Sequence, residues 1–389
     1  MRTHSRSLTF VMVVAMASST FALAVISALA ADIIDEFAIT REQLGLLATA
    51  AAFTGAGLAP ILGPLADRLG ARAVTLFSLL SSATALLAMS VAPGFLWLAG
   101  AALLAGVPQA VTNPATNMLI LAHVAEGKRG VVTGIKQSGV QAGNALGGLL
   151  LPPIALLAGW RWGVVAAVSV PLMGAVVAGR VVPRSVASGG RPRGRGDRVR
   201  TGIARLAVYG FLLGVGGTAV VTYLPLYSQE ELGLSPVVAG ATLAVMGITG
   251  VVGRIAWGRM AEVWLGADRA LAIVAGLSCV VGIGLVMSPV LGAWAVWPVA
   301  VLTGLSASSW NTLGMLSIIQ QVPKESTGRA SGTLMLGFLS GVGLGAPAFG
   351  RSVDAFGTYR PGWVAVTLVF GAALVLMLPA VRRPAVVAA

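Results

Sequence analysis

Twelve times in 389 residues the chain returns to an apolar run of about 20 residues, the length an α-helix needs to cross the hydrocarbon core of a bilayer. The runs fall near 8–30, 44–62, 74–92, 95–122, 130–156, 162–180, 203–227, 236–257, 269–288, 291–321, 330–350 and 363–381. Nothing else restricts the fold as strongly, because in lipid every backbone N–H and C=O must find its partner within the span. Only 10% of the residues are charged, where a soluble domain carries about 25%, so a water-facing surface cannot be assembled. A disulfide scaffold is excluded, since Cys279 stands alone. The sequence predicts an all-α membrane protein with twelve transmembrane helices.

A net charge of +13 would suit a nucleic-acid partner if it formed one patch, so its placement decides its meaning. With an even number of spans both termini share one face. Twenty basic residues fall on that face, four on the other (Arg41, Arg161, Arg351 and Arg360), and two, Lys136 and Arg254, inside spans. Six acids join the first group and seven the second, leaving +14, −3 and +2. The asymmetry is a topology signal: it predicts cytoplasmic termini in a plasma or inner membrane, and no nucleic-acid partner. The Arg-rich RPRGRGDRVR at 191–200 then belongs to a cytoplasmic loop. Arg2 and Arg6 before an apolar stretch ending in Ala28-Leu29-Ala30 have the shape of a signal peptide, but about 23 apolar residues exceed its usual core.

The longest hydrophilic stretch divides the spans into two sets of six. A shift of 195 lays Glu36 on Glu231, Gly55 on Gly250, Gly63 on Gly258 and Asp67 on Glu262. A shift of 198 lays Asn113 on Asn311, and Gly139, Gly143 and Gly147 on Gly337, Gly341 and Gly345. Polar matches held in register across several spans point to duplication. The expected organisation is a six-helix bundle at 1–181, a linker at 182–202 and a second, pseudo-symmetric bundle at 203–389. The first span has its counterpart in the seventh and so belongs to the fold.

These residues resemble the major facilitator superfamily, whose halves are six-helix repeats. The segment GPLADRLGAR at 63–72 is similar to that family's GxLaDrxGrkx signature through Gly63, Leu65, Asp67, Arg68, Gly70 and Arg72. The second copy, GRMAE at 258–262, is partial: Gly258 is kept, Glu262 replaces the aspartate and Val263 the following base. The resemblance implies alternating access by a monomer, without cofactor or metal. It implies that Asp67 meets the N-terminus of the eleventh helix near Gly328, where the helix dipole favours an anion, with Arg68 and Arg72 on nearby acids or carbonyls. Gly63 permits a turn at the end of the second helix.

The glycine strips at 139–147 and 337–345 serve either helix packing or sliding of the halves. The resemblance also implies a central cavity lined by spans 1, 2, 4, 5, 7, 8, 10 and 11. Polar groups inside those spans are costly and mark a solute site or interhelical bonding: Gln109 and Asn113 on the fourth, Gln137 and Gln141 on the fifth, Trp310 and Asn311 on the tenth, and Tyr223 on the seventh. Lys136 and Arg254 lie about 9 and 6 Å from their helix ends, so they either snorkel to headgroups or meet an anionic ligand.

The spans hold no Asp or Glu, the usual proton site of coupled carriers. A signature-like segment at 139–148 has Asn144 where the antiporter pattern has proline, and Gly100 stands where the family often has arginine. Both departures disfavour proton-driven drug efflux, which remains the runner-up to uptake or exchange of a small organic anion. The expected partners are a small solute, the lipid bilayer and a coupling proton or counter-substrate. An enzyme would need a nucleophile with a base or a metal cluster, and neither is present; no P-loop marks an ATP-driven pump. A sensor or scaffold keeping the fold without flux is the alternative from another class.

Overall fold

The computed structural model describes residues 2–125, 129–183, 201–321 and 327–381, and among them the ordered elements are helices. The first half contains α1 (Arg2–Ala28), α2 (Ala30–Phe37), α3 (Arg41–Leu69), α4 (Ala71–Ser90), α5 (Phe95–His123), α6 (Arg129–Ala158) and α7 (Trp160–Val181). The second contains α8 (Thr201–Glu230), α9 (Pro236–Met260), α10 (Ala267–Leu291), α11 (Val296–Leu305), α12 (Trp310–Gln321), α13 (Thr327–Phe356) and α14 (Arg360–Val381). Eleven described helices are long and apolar enough to span a bilayer. The remaining expected span, the tenth at 291–321, is interrupted: α11 stops at Leu305, residues 306–309 form a turn, and α12 resumes at Trp310. The run Ser306-Ala307-Ser308-Ser309 supplies side chains that bond to nearby backbone rather than extend the helix.

Local chemistry sets the helix ends. Thr40 and Gln43 form a reciprocal capping box, with Gln43 N–H on Thr40 Oγ1 at 3.1 Å and Thr40 N–H on Gln43 Oε1 at 2.9 Å. At the repeat-related position Ser235 caps α9 with Pro236 behind it. The helix α3 continues through Gly63 to Leu69, and the turn expected at Gly63 falls instead at Gly70, whose φ of +82° suits glycine. Gly266, φ +74°, plays the same part before α10.

The glycine strips pack helices within each half. Gly139, Gly143 and Gly147 of α6 lie on Val13, Ala17 and Ala24 of α1, while Gly337, Gly341 and Gly345 of α13 lie on Ala207, Phe211 and Val215 of α8. The halves meet along two other antiparallel pairs, α3 with α13 and α6 with α9. Gly148 of α6 against Gly240 and Ala244 of α9, and Gly247 against Ala145, allow backbone approach there. Large apolar side chains such as Leu96, Leu157 and Val290 are exposed on the outer surface, an arrangement suited to lipid. Exposed Trp97, Trp162 and Trp294 near one face and Trp264 near the other occupy the interfacial positions of an aromatic belt.

Candidate substrate site and gate

The two inter-half pairs close one face. We call the face holding the start of α1 and the end of α14 the terminal face, and the other the far face. On the far face Arg41, at the start of α3, pairs with Glu230 of α8 at 2.7 Å and with Asp354 of α13 at 3.6 Å. Asp354 also accepts the Arg41 and Glu42 backbone N–H groups at 3.2 and 2.8 Å. The first three amides of α3 are therefore satisfied, one by Thr40 and two by a carboxylate from the other half, where the helix dipole favours negative charge. Tyr359 donates its hydroxyl to Glu230 at 2.6 Å, and burial together with that carboxylate pushes the phenol's pKa up, so it stays a donor. Tyr223 donates to the Arg41 carbonyl at 2.5 Å and stacks on Phe349, so the structure places it in this closure and not on a cavity wall.

The α3–α13 pair separates toward the terminal face. Gly45, Thr49 and Phe53 form one stripe of α3, and Thr49 donates to the Gly343 carbonyl at 2.6 Å. Further along the same stripe Gly57 faces open space and Ile61 is 66% exposed. On α13 the matching positions, Leu336 at 62% exposure and Gly332, are equally uncovered. Among the described residues the molecule is closed at the far face and open at the terminal one.

On the terminal side of the closed segment, about 10 Å from the start of α6, lies a polar network. Lys136 of α6 is 0% exposed and turns onto α5, donating to Asn117 Oδ1 at 2.6 Å, Thr116 Oγ1 at 2.8 Å and Asn113 Oδ1 at 3.4 Å. Snorkelling to the headgroups is thereby overturned: every partner is a neutral oxygen of the same half. Gln137 donates to the same Asn113 oxygen at 3.3 Å. Arg254 of α9 crosses between the halves, bonding the Gln137 carbonyl at 2.6 Å through Nη1 and the Ser308 carbonyl through Nε and Nη2 at 3.3 and 3.2 Å. Gln141 adds a third donor to Ser308 at 3.1 Å. The helix interruption frees that carbonyl, and the negative end of α11 faces a cation. Lys136, Asn113, Gln137, Arg254, Gln141 and Ser308 thus form one connected set.

The matching segment of the first half is weakened by other means. A shift of 198 lays Pro108 on Ser306, and Pro108 and Pro114 each remove a backbone donor from α5. Thr112 and Thr116 donate back to the Pro108 and Thr112 carbonyls at 2.6 and 2.7 Å.

Other expected residues lie elsewhere. Trp310 is buried at 2% exposure, packed between Tyr209 and Phe338 within the second half. Asn311 bonds Met335 Sδ at 3.8 Å and does not join its repeat partner Asn113. Gln109 is half-buried beside Gly55, its Nε2 without a protein partner among the described residues. Arg72 takes the carbonyl option, bonding Gly179 within its own half. Gly258 faces Thr312, and Glu262 is exposed in a π-helical turn at Ala261–Leu265. The side chains of Gly63, Asp67 and Arg68, and the Gly328 end of α13, lie outside the described residues.

Sequence reasoning overlooked Arg41, Glu230, Asp354 and the interruption at 306–309. The available signals were an arginine directly after a helix cap, acids at two helix ends on the same face, and a serine-rich step inside an apolar run.

A family model described as the Major Facilitator Superfamily matches residues 8–346. Among solved structures the fold is similar to a bacterial homologue of the human lysosomal transporter Spinster, described as inward-facing and unoccupied. That match has a TM-score of 0.77 at 16% identity and covers 97% of each chain, a likeness that speaks to fold alone. None of the curated proteins matches the chain. A family match across most of the length, on two packed helical halves with a cleft between them, leads to one conclusion: this multi-pass membrane protein belongs to the Major Facilitator Superfamily and is a secondary transporter, not an enzyme.

Proposed function

We propose that the solute is a small organic anion, taken up or exchanged, and that it is held where Lys136, Asn113, Gln137 and Arg254 converge. The observation that carries this reading is the Lys136 ammonium, fully buried against three neutral oxygens. A buried charge is tolerated when a counter-charge compensates it, and the spans hold no carboxylate to do so. Asn117, one of its three partners, is exposed, so an entering carboxylate needs to displace only that amide. Without a membrane-embedded acid, exchange against a second anion fits the chain better than proton coupling.

The terminal face is then cytoplasmic, following the charge asymmetry, and the described state is open to the cytoplasm. Bundles 1–181 and 203–389 rock about the α6–α9 contact, joined by the linker 182–202, in a monomer. In the alternate state Asp67, at the end of α3, caps the N-terminus of α13. The far-face contact supports this, because there the end of α13 caps the start of α3 in the same antiparallel pair. Each helix would offer its terminal acid to the other's amides, one pairing per state.

The deciding experiment is thermal stabilisation of purified protein by a panel of mono- and dicarboxylates and of cationic drugs, repeated with Lys136→Gln. We expect stabilisation by one or more carboxylates, since a ligand that binds only the folded state raises its stability, and loss of that effect in the variant. Stabilisation by cationic drugs alone, or an unchanged carboxylate response in Lys136→Gln, would exclude the anion reading.

A further inference from the structure

On the far face the two repeats treat an equivalent acid–arginine pair differently. In the first half Glu36 accepts two bonds from Arg161, at 2.5 and 3.1 Å, and a third from the Trp160 indole. A shift of 195 lays Glu36 on Glu231, and a shift of 199 lays Arg161 on Arg360 and Gly163 on Gly362. The second-half pair is not closed. Glu231 receives only long bonds from Thr358 Oγ1 and the Tyr359 amide, at 3.4 and 3.5 Å, both on one oxygen. Arg360 makes no ion pair among the described residues.

Where the pair would close there is a cavity of about 190 Å³, walled by Tyr227, Tyr359, Trp363 and Pro289 with Glu231 and Arg360 at its rim. The Trp363 side chain is 1% exposed and contributes its ring to that wall. The α14 helix begins here too, adding the positive end of its dipole to the Arg360 charge. Below the rim, and sharing Val286 with it, an apolar trough of about 310 Å³ follows the α10–α14 seam past Ile283, Met287, Val364 and Leu368. From Arg360 to Leu368 the trough descends about 12 Å, which stays inside one leaflet's roughly 15 Å of hydrocarbon.

We propose that this seam seats one zwitterionic phospholipid of the far leaflet, its phosphate at Arg360 and the start of α14, its ammonium at Glu231, and an acyl chain in the trough. Such a headgroup carries both charges, in the order the rim presents them, and so completes in the second half the charge pairing that the first half makes internally. The ligand lies on the lipid-facing side of α10 and α14, away from the Lys136 network, so its presence is independent of the transported solute.

The test is native mass spectrometry of delipidated, refoldable protein given back dioleoyl-phosphatidylethanolamine, dioleoyl-phosphatidylglycerol or chain-free glycerophosphoethanolamine. We expect one retained phosphatidylethanolamine per chain, weaker retention of phosphatidylglycerol, and none of the chain-free headgroup. Arg360→Gln should lower retention about tenfold, the scale of one lost charge-assisted hydrogen bond. Val286→Trp should block the trough, and Glu231→Gln should erase the preference for the ethanolamine lipid. Leu157→Trp, an equal bulk on the lipid-facing surface of the other half, should change nothing. Unchanged retention in Arg360→Gln and Val286→Trp, or equal loss in Leu157→Trp, overturns the site; equal retention of both lipids by the parent protein overturns the zwitterion.

Discussion

The residue that most controls the described state is Asp354, because its carboxylate does two jobs across the interface. It accepts two amides of α3 and neutralises Arg41, contacts that exist only while the far face is shut. Asp354→Asn keeps one acceptor oxygen and loses the charge. Closure should weaken by about 1 kcal/mol, roughly a fivefold shift in the balance of states. The expected readout is a melting temperature lower by a few degrees in detergent, with expression unchanged; a variant as stable as the parent would show the carboxylate to be a bystander. None of this was legible in the sequence. Arg41 lies 189 residues from Glu230 and 313 from Asp354, and each had been counted only as a loop charge. Lys136 was legible as an anomaly, a cation inside an apolar run, but its direction was not. Whether a lysine climbs toward water or turns onto the neighbouring helix depends on what α5 offers, and Asn113, Thr116 and Asn117 lie on another element.

At the scale of elements, helix existence followed directly from run length, since a bilayer of fixed thickness imposes it. Departures came where a helix outlasts its apolar stretch or fails within it. The α3 helix runs seven residues past the expected end at 62, where Gly63 was read as permitting a turn. The interruption between α11 and α12 escaped notice because the serines at 306, 308 and 309 sit among enough apolar neighbours to keep the window hydrophobic. That interruption depends on Arg254, whose guanidinium holds the Ser308 carbonyl. Arg254→Leu would leave only Gln141 on this oxygen, and stability should fall by about 1–3 kcal/mol. Hydrogen exchange should rise in the peptide covering 305–312 and remain unaltered in the α1–α6 contact. Uniform protection in that peptide would mean that the turn holds without its cation.

Across the whole molecule the prediction is reciprocity. In a Cys279→Ser background, Asn117→Cys reports whether the terminal face is open, as Asn117 is exposed six residues from the terminal-face end of α5. Adding Asp354→Asn should slow its modification by a membrane-impermeant maleimide, by up to about fivefold, while adding Asp67→Asn should leave it at least as fast. Asp67→Asn should also lose most uptake while still reaching the membrane. If both substitutions moved the rate in one direction, the two acids would not be opposing caps. The duplication was readable from polar residues held in register, yet the repeats are not equivalent in structure: one half keeps its fourth span continuous with two prolines inside it, the other cuts its counterpart in two. The α6–α9 pair stays joined to the depth of Arg254, about 27 Å from the start of α9, whereas the last α3–α13 contact described, at Phe53, lies about 18 Å from the start of α3. The mouth is consequently lopsided. A probe inserted from the terminal face would find its room on the α3–α13 flank, where the shorter seam ends.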